Sequence, residues 1–403
     1  MRNVPDSNRS ASGKFQQVVA AFLTQPGLPF ASVLSAERIE RVFTQHGNLF
    51  GMNAVYSTAV MVWSFLSQVL RDGKEASCQA AVARIVSHRE QAGLPTPTAD
   101  TGDYCRARAK LSEAALCELT REVAAELQEQ ADPQWLWKGL HAKLVDGFTF
   151  TMPDSASNRA EFPHPRTQKT GVGLPIARAA VILSLATGCA MNLALGPYSG
   201  KETGETALLR GMLQSFQPGE PLVADRYFCS FFLIALLHSR GVQVCARMHH
   251  KRHVDFRRGR RLGPHDHLIV WIKQSLNLNH VRCKSPAMVR KELWTTLLGY
   301  NLIRTTAAAA ALLHQQLPRQ ISFTGTCQYV LASWMLISCG LIEPTDLASH
   351  CLKLLSQIAS CEVANRPGRI EPRVLKRRRH GYKLMQQPRA VLKAQLQNPN
   401  SKT

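Results

Sequence analysis

The chain has 403 residues, long enough for two or three domains that each bury a core, which excludes a single small module. Lysine and arginine number 49 against 28 acidic residues, giving a formal charge of +21 and a pI near 9.9, and such an excess calls for a polyanionic partner. Eleven cysteines, none in a Cys-x-x-Cys pair, argue against a disulfide framework or a zinc ribbon and point to a reducing compartment.

The first residues, Met1-Arg2-Asn3-Val4-Pro5-Asp6, lack the apolar core of a signal peptide, and polar residues interrupt every apolar stretch before it reaches membrane-spanning length. A soluble, cytoplasmic protein is expected. From about Pro29 to Gln130 apolar residues recur at three- and four-residue intervals, most clearly in Val55–Leu70 and Leu111–Leu127, which predicts a helical N-terminal domain. The run Gly93-Leu94-Pro95-Thr96-Pro97-Thr98 marks a loop between two helical groups.

After Pro133 the period changes. Lys143–Met152 is rich in β-branched and aromatic residues in near-alternation and predicts a strand that carries Asp146. Pro175–Leu185, the turn Ala186-Thr187-Gly188 and Cys189–Leu195 read as a hairpin continuing the sheet. Thr203-Gly204-Glu205-Thr206 leads into a capped helix over Ala207–Phe216. Pro221–Asp225 reads as a short buried strand ending in a carboxylate, Ser230–Ser239 as a helix, and Gly241–Arg247 as a fifth strand. Three strands, helix, strand, helix, strand is the order of a ribonuclease H-like core, with the fourth strand parallel beside the first. From Ala287 helical spacing returns through Met335, broken at Pro318, and a basic segment follows Pro367.

Two aspartates at the C-terminal parts of adjacent central strands direct carboxylates to one spot, which suits a divalent metal, because Mg²⁺ prefers a few hard oxygen ligands. In phosphoryl transfer such ions activate the attacking oxygen and stabilise the leaving one. Asp146 and Asp225 fit this description; equally, each fits a strand-end cap or a partner for a neighbour such as Arg226.

Five blocks decide between these readings: Asp146-Gly-Phe-Thr-Phe-Thr-Met-Pro-Asp, Tyr198-Ser-Gly-Lys-Glu-Thr-Gly-Glu, Ala224-Asp225-Arg226-Tyr227-Phe228, Val281-Arg282-Cys283-Lys284-Ser285-Pro286 and Tyr300-Asn301-Leu302-Ile303-Arg304. Together they resemble the IS-four family of DDE transposases from bacterial insertion sequences, from the helical N-terminal domain to about Phe323. The resemblance implies a ribonuclease H-like fold, Asp146 and Asp225 as the first two metal-binding carboxylates, and Mg²⁺- or Mn²⁺-dependent nicking and strand transfer at inverted-repeat ends. Its partners would be double-stranded DNA, as element ends and as target, and a second copy on paired ends, in the bacterial nucleoid and away from membranes.

The family's third carboxylate sits in a helical signature of tyrosine, two residues, arginine, three residues, glutamate, six residues, lysine, and here the match fails. Ile272-Lys273-Gln274-Ser275-Leu276 resembles the family's residues C-terminal to that glutamate, whereas His265–Trp271 resembles a segment the family places tens of residues earlier, so an internal deletion near 271/272 is expected. Counting back from Lys273 puts Leu262 at the arginine, Gly259 at the tyrosine and Asp266 at the glutamate. Asp266 and Lys273 would share a helix face, and Gly263-Pro264 suits a helix start. Against this, Leu268-Ile269-Val270-Trp271 prefers a strand, and aspartate is a methylene shorter than glutamate. Asp266 is therefore a substitute candidate only, and Glu292 belongs to a downstream packing helix.

The expected organisation is a helical DNA-binding domain over 1–135, a truncated ribonuclease H-like core over 136–300, and C-terminal helices with a basic tail over 301–403. Arg226, Lys251, Arg252, Lys273, Arg282 and Lys284 are the expected DNA contacts. The rival reading is a catalytically dead DNA-binding remnant that represses an intact transposase. His249, His250, His253, His265 and His267 lack partners at zinc-binding spacing and read as solvated or DNA-facing. Gly196–Lys201 lacks the spacing of a phosphate loop. Cys229 and Cys245 lie on apolar faces and read as core residues.

Overall fold

The computed structural model describes residues 33–363 and 385–397, apart from 52, 53, 92, 166, 167, 169–171, 247–280 and 344. Five strands, β1 (Lys143–Thr151), β2 (Ile176–Ser184), β3 (Ala190–Pro197), β4 (Pro221–Ala224) and β5 (Gln243–Ala246), form one sheet in the order β3-β2-β1-β4-β5. β2 is antiparallel to β1 and β3, while β4 runs parallel to both β1 and β5. This mixed α/β architecture has the ribonuclease H-like strand order that the sequence predicts.

Alternation along the strands gives the sheet two apolar faces. Leu144, Phe148 and Phe150 of β1, with Ala177, Ala179, Val181 and Leu183 of β2, enter one core; Val145, Ala180, Ile182, Leu222 and Ala224 enter the other. Burying one large apolar side chain contributes about 1.5–3 kcal/mol, so a register slip that turned either set to water would be costly.

On the first face, the N-terminal helices α1 (Ala36–Gln45), α2 (Thr58–Val69), α3 (Cys78–Gln91), α4 (Gly102–Lys110) and α5 (Glu113–Glu129) share a continuous core with the sheet. Ser35, Ser57 and Ser112 cap α1, α2 and α5 by accepting backbone N–H groups. Further on, α6 (Ala156–Glu161) follows β1, α7 (Glu205–Arg210) precedes β4, and α8 (Phe231–His238) joins β4 to β5. On the second face, Leu209 of α7 and Leu233 and Leu237 of α8 fill the core.

The long helix α9 (Pro286–Leu313) joins the layers, packing against α2, α5 and β3 and against α10 (Phe323–Ser338) and α11 (Leu347–Ala359). Pro286 starts it in the position where a missing N–H costs nothing. Fully buried Asn301 locks the contact: it accepts the Ala190 N–H at 2.8 Å and donates to the carbonyls of Ala190 (3.0 Å) and Thr120 (3.2 Å). A last helix, α12, spans Arg389–Gln397.

Two local expectations change. The predicted helix over Ala207–Phe216 is the shorter α7, starting at Glu205 behind Gly204, which offers no side-chain cap, and stopping at Gly211 before a 3₁₀ turn over Leu213–Ser215. Cys245 is exposed, because β5 is the edge strand of the sheet, whereas Cys229 is buried as expected.

Candidate metal centre at the ends of strands β1 and β4

Lys143 opens β1 almost wholly buried, its ammonium donating at 2.5 Å to the Ser215 carbonyl and to the Glu220 carboxylate. Glu220 also accepts the Gln217 N–H at 2.7 Å. A buried pair contributes little net stability but fixes geometry; here it ties the start of β1 to the turn that enters β4.

From that anchor the register runs Lys143↔Leu222, Leu144↔Val223, Val145↔Ala224. Asp146 is the next residue of β1, and Asp225 follows directly after the end of β4. Neighbouring strands lie about 4.8 Å apart, so the backbones leading into Asp146 and Asp225 start from adjacent positions where β4 ends and β1 continues. Both aspartates are half-buried. Oδ1 of Asp225 accepts the Tyr227 N–H at 2.8 Å, which turns the chain away and leaves the second carboxylate oxygen at the strand end.

A further carboxylate, Glu205 at the start of α7, packs over Gly147 on the sheet face that Val145 shares. A Cβ built on Gly147 would stand 2.1 Å from Cδ and 2.5 Å from Oε1 of Glu205, so the Glu205 side chain occupies the space that the glycine leaves. Burial raises the Glu205 carboxyl above its ordinary value; Arg178 opposes the shift and the charge of Asp225 adds to it. Arg178 lies on β2 opposite Thr149, donates to the Thr203 carbonyl at 3.2 Å and sits 4.9 Å from the Tyr198 ring centroid. Among the described residues no three His, Cys, Asp or Glu side chains already converge as a metal-binding group.

The other expected site residues are scattered. Arg226 is exposed beside Asp225, with its guanidinium 5.7 Å from the Tyr227 ring centroid. Arg282 donates to the Ala76 carbonyl at 3.2 Å, and Lys284 is exposed while its carbonyl accepts the Ser155 and Ser157 hydroxyls. Asp266, Lys251, Arg252, Lys273 and the five histidines lie outside the described residues. Glu292, on α9, accepts the backbone N–H groups of Arg282 and Cys283 at 3.0–3.1 Å, a structural duty that fits its packing-helix reading. Next to Asp225, Tyr227, Phe231 and Phe232 are 57%, 77% and 83% exposed, an aromatic group too open to be core.

Compared with known proteins, the chain is 22% identical over 434 aligned positions to the transposase InsG for insertion sequence element IS4 of Escherichia coli (strain K12), covering 89% of this chain and 94% of that one. The chain is thus similar to an insertion-sequence transposase over most of its length. With most of both chains aligned, the likeness is one of whole chains. A cryo-EM structure of the piggyBac transposase synaptic complex with hairpin DNA aligns with a TM-score of 0.42 and 10% identity, over 87% of this chain and 86% of that one. No protein-family profile matches. Among the described residues no helix is long and apolar enough to cross a membrane.

Proposed function

We propose that this chain is a transposase that binds the inverted-repeat ends of its element as double-stranded DNA and cleaves and transfers strands at a divalent-metal site built on Asp146 and Asp225. The observation that supports this reading is the β1–β4 register, in which Asp146 and Asp225 each follow directly on the last paired residues of two parallel strands, Val145 and Ala224. Their oxygens are the hard donors that Mg²⁺ or Mn²⁺ takes. When bound, the divalent cation supplies charge neutralisation at the attacking and leaving oxygens of phosphoryl transfer. Asp146 and Asp225 hold and orient it. Arg226, exposed just after β4, and Lys284, exposed just before α9, neutralise backbone phosphates. Tyr227, Phe231 and Phe232 offer flat faces on which unpaired bases at a cleaved end stack.

The family's helical signature lacks a full counterpart here, and Glu292 is already engaged by backbone N–H groups. Cleavage is therefore slower than in a relative with an intact signature, by about two to three orders of magnitude or more, the cost of losing one preorganised charge. The test is a nicking assay on DNA carrying the element's ends. Slow nicking that requires Mg²⁺ or Mn²⁺ and disappears in Asp146→Asn and Asp225→Asn is expected. DNA binding with no nicking under any divalent cation would instead select the repressor reading. Asp266→Ala separates the substitute candidate: unchanged nicking removes Asp266 from the site.

A further inference from the structure

We propose that the groove between α2, α3 and α10 is a binding site for one nucleotide, held by its aromatic base and its phosphate. None of these helices carries Asp146 or Asp225, so the groove is built on other elements than the candidate metal centre. Its cavity measures about 720 Å³, within the range of about 300–1,000 Å³ that small-molecule sites occupy. Two features of the lining select the ligand. The first is an aromatic wall. Val60, Ala81 and Ile85 supply apolar surface beside Trp63 and Trp334, whose rings meet edge to face with centroids 5.4 Å apart. Within that wall the Trp63 indole N–H is buried and finds no hydrogen-bond partner among the described residues. A buried donor without an acceptor is costly. A flat, largely apolar body with acceptor atoms on its edge relieves it, and every nucleobase is such a body.

The second feature is a pair of guanidinium groups, Arg71 and Arg84, in the same lining. Arg71 donates to the Ser67 carbonyl at 2.8 Å and hydroxyl at 2.7 Å, and lies 5.8 Å from the Trp334 ring centroid. Arg84 donates to the Glu75 carbonyl at 3.1 Å and to its carboxylate at 3.4 Å, while its Nη2 is buried with no hydrogen-bond partner among the described residues. Glu75 is one carboxylate for two cations, and its side chain is 73% exposed. His88, also in the lining, is pushed below its ordinary value by burial and adds no charge at pH 7. The groove therefore keeps a net positive charge, and the strain shows on Arg71, which burial and the charge of Arg84 pull down to about 10. A phosphate supplies the missing negative charge through charge-assisted hydrogen bonds.

The test is equilibrium dialysis of the full chain, without divalent cation, against deoxyadenosine monophosphate, deoxyadenosine and inorganic phosphate. The monophosphate is expected to bind at one site per chain, and the nucleoside and phosphate each more weakly, because each makes half of the contacts. Arg84→Gln removes one charge and is expected to weaken the monophosphate by about tenfold or more, the scale of a hydrogen bond to a charged group, while leaving deoxyadenosine binding unchanged. Ala83→Trp, at an exposed lining position of α3, keeps both arginines and fills the groove. It is expected to abolish binding of nucleotide and nucleoside alike, with the melting temperature reporting integrity. An oligothymidylate competitor identifies the source: displacement of the monophosphate assigns the groove to an unpaired nucleotide within a strand, and no displacement assigns it to a free nucleotide. If the monophosphate does not bind, or if either variant binds it as tightly as the unaltered chain, the proposal is overturned.

Discussion

Replacing Asn301 with alanine tests how the site is braced from behind. Its side chain joins α9, α5 and β3 through three hydrogen bonds in a fully buried setting. Truncation leaves the Ala190 N–H without this acceptor, which costs about 1–3 kcal/mol, and removes one bond each from the Ala190 and Thr120 carbonyls, adding about 0.5–1 kcal/mol apiece. The total is about 2–5 kcal/mol. For 403 residues unfolding as a unit, an entropy of about 2.1 cal/mol/K per residue gives about 0.85 kcal/mol/K, so the melting temperature falls by about 2–6 °C. Differential scanning calorimetry of the cation-free protein measures it. A change below about 1 °C would refute the claim that this polar lock, rather than the surrounding apolar packing, fixes α9 on the sheet.

Other outcomes are expected from the same structure. Binding of duplex DNA by fluorescence anisotropy should survive Asp146→Ala and weaken about tenfold between 50 and 200 mM salt if only two phosphates are neutralised, more if the basic tail joins in; salt-independent binding contradicts the electrostatic reading. Tyr227→Ala together with Phe232→Ala should weaken single-stranded DNA binding by about 1–3 kcal/mol per lost stack while leaving duplex affinity unchanged; equal losses on both substrates would assign these rings to folding. Burial works against the Glu122 carboxylate, but hydrogen bonds and charge from Arg41 and Arg38 prevail and hold it below its ordinary value. Its stabilisation is thus present above the ordinary glutamate range and lost as pH falls through the lowered value. Glu122→Gln should lower the melting temperature by about 1 °C at pH 7, the scale of an exposed ion pair, with the gap closing below pH 4; a constant gap contradicts the ion-pair account.

Much of the core is legible in the sequence because its strands alternate cleanly. Lys143–Thr151 places Leu144, Phe148 and Phe150 on one face, a period that a helix cannot mimic, so the strand bearing Asp146 is found from local pattern alone. The Pro221 strand is short and apolar, and its carboxylate falls one residue past the last ladder pair, a boundary that pattern does not resolve. The packing of Glu205 over Gly147 escapes sequence reading because its first-turn position already explains an acidic residue and the contact joins parts of the chain far apart in sequence. Cys245 misleads for a related reason: apolar alternation identifies a strand, while only the pairing order reveals that the strand is an edge. Glu292 shows the reverse case, where family pattern assigns a packing helix and the structure supplies the backbone N–H groups that use its carboxylate.

The central claim is that Asp146 and Asp225 hold one divalent cation between them. Crystals of the chain soaked in MnCl₂ and measured at a wavelength where manganese scatters anomalously address it directly. The account predicts an anomalous peak beside the carboxylates of Asp146 and Asp225. Full anomalous peaks elsewhere on the chain, with none between Asp146 and Asp225, would contradict it.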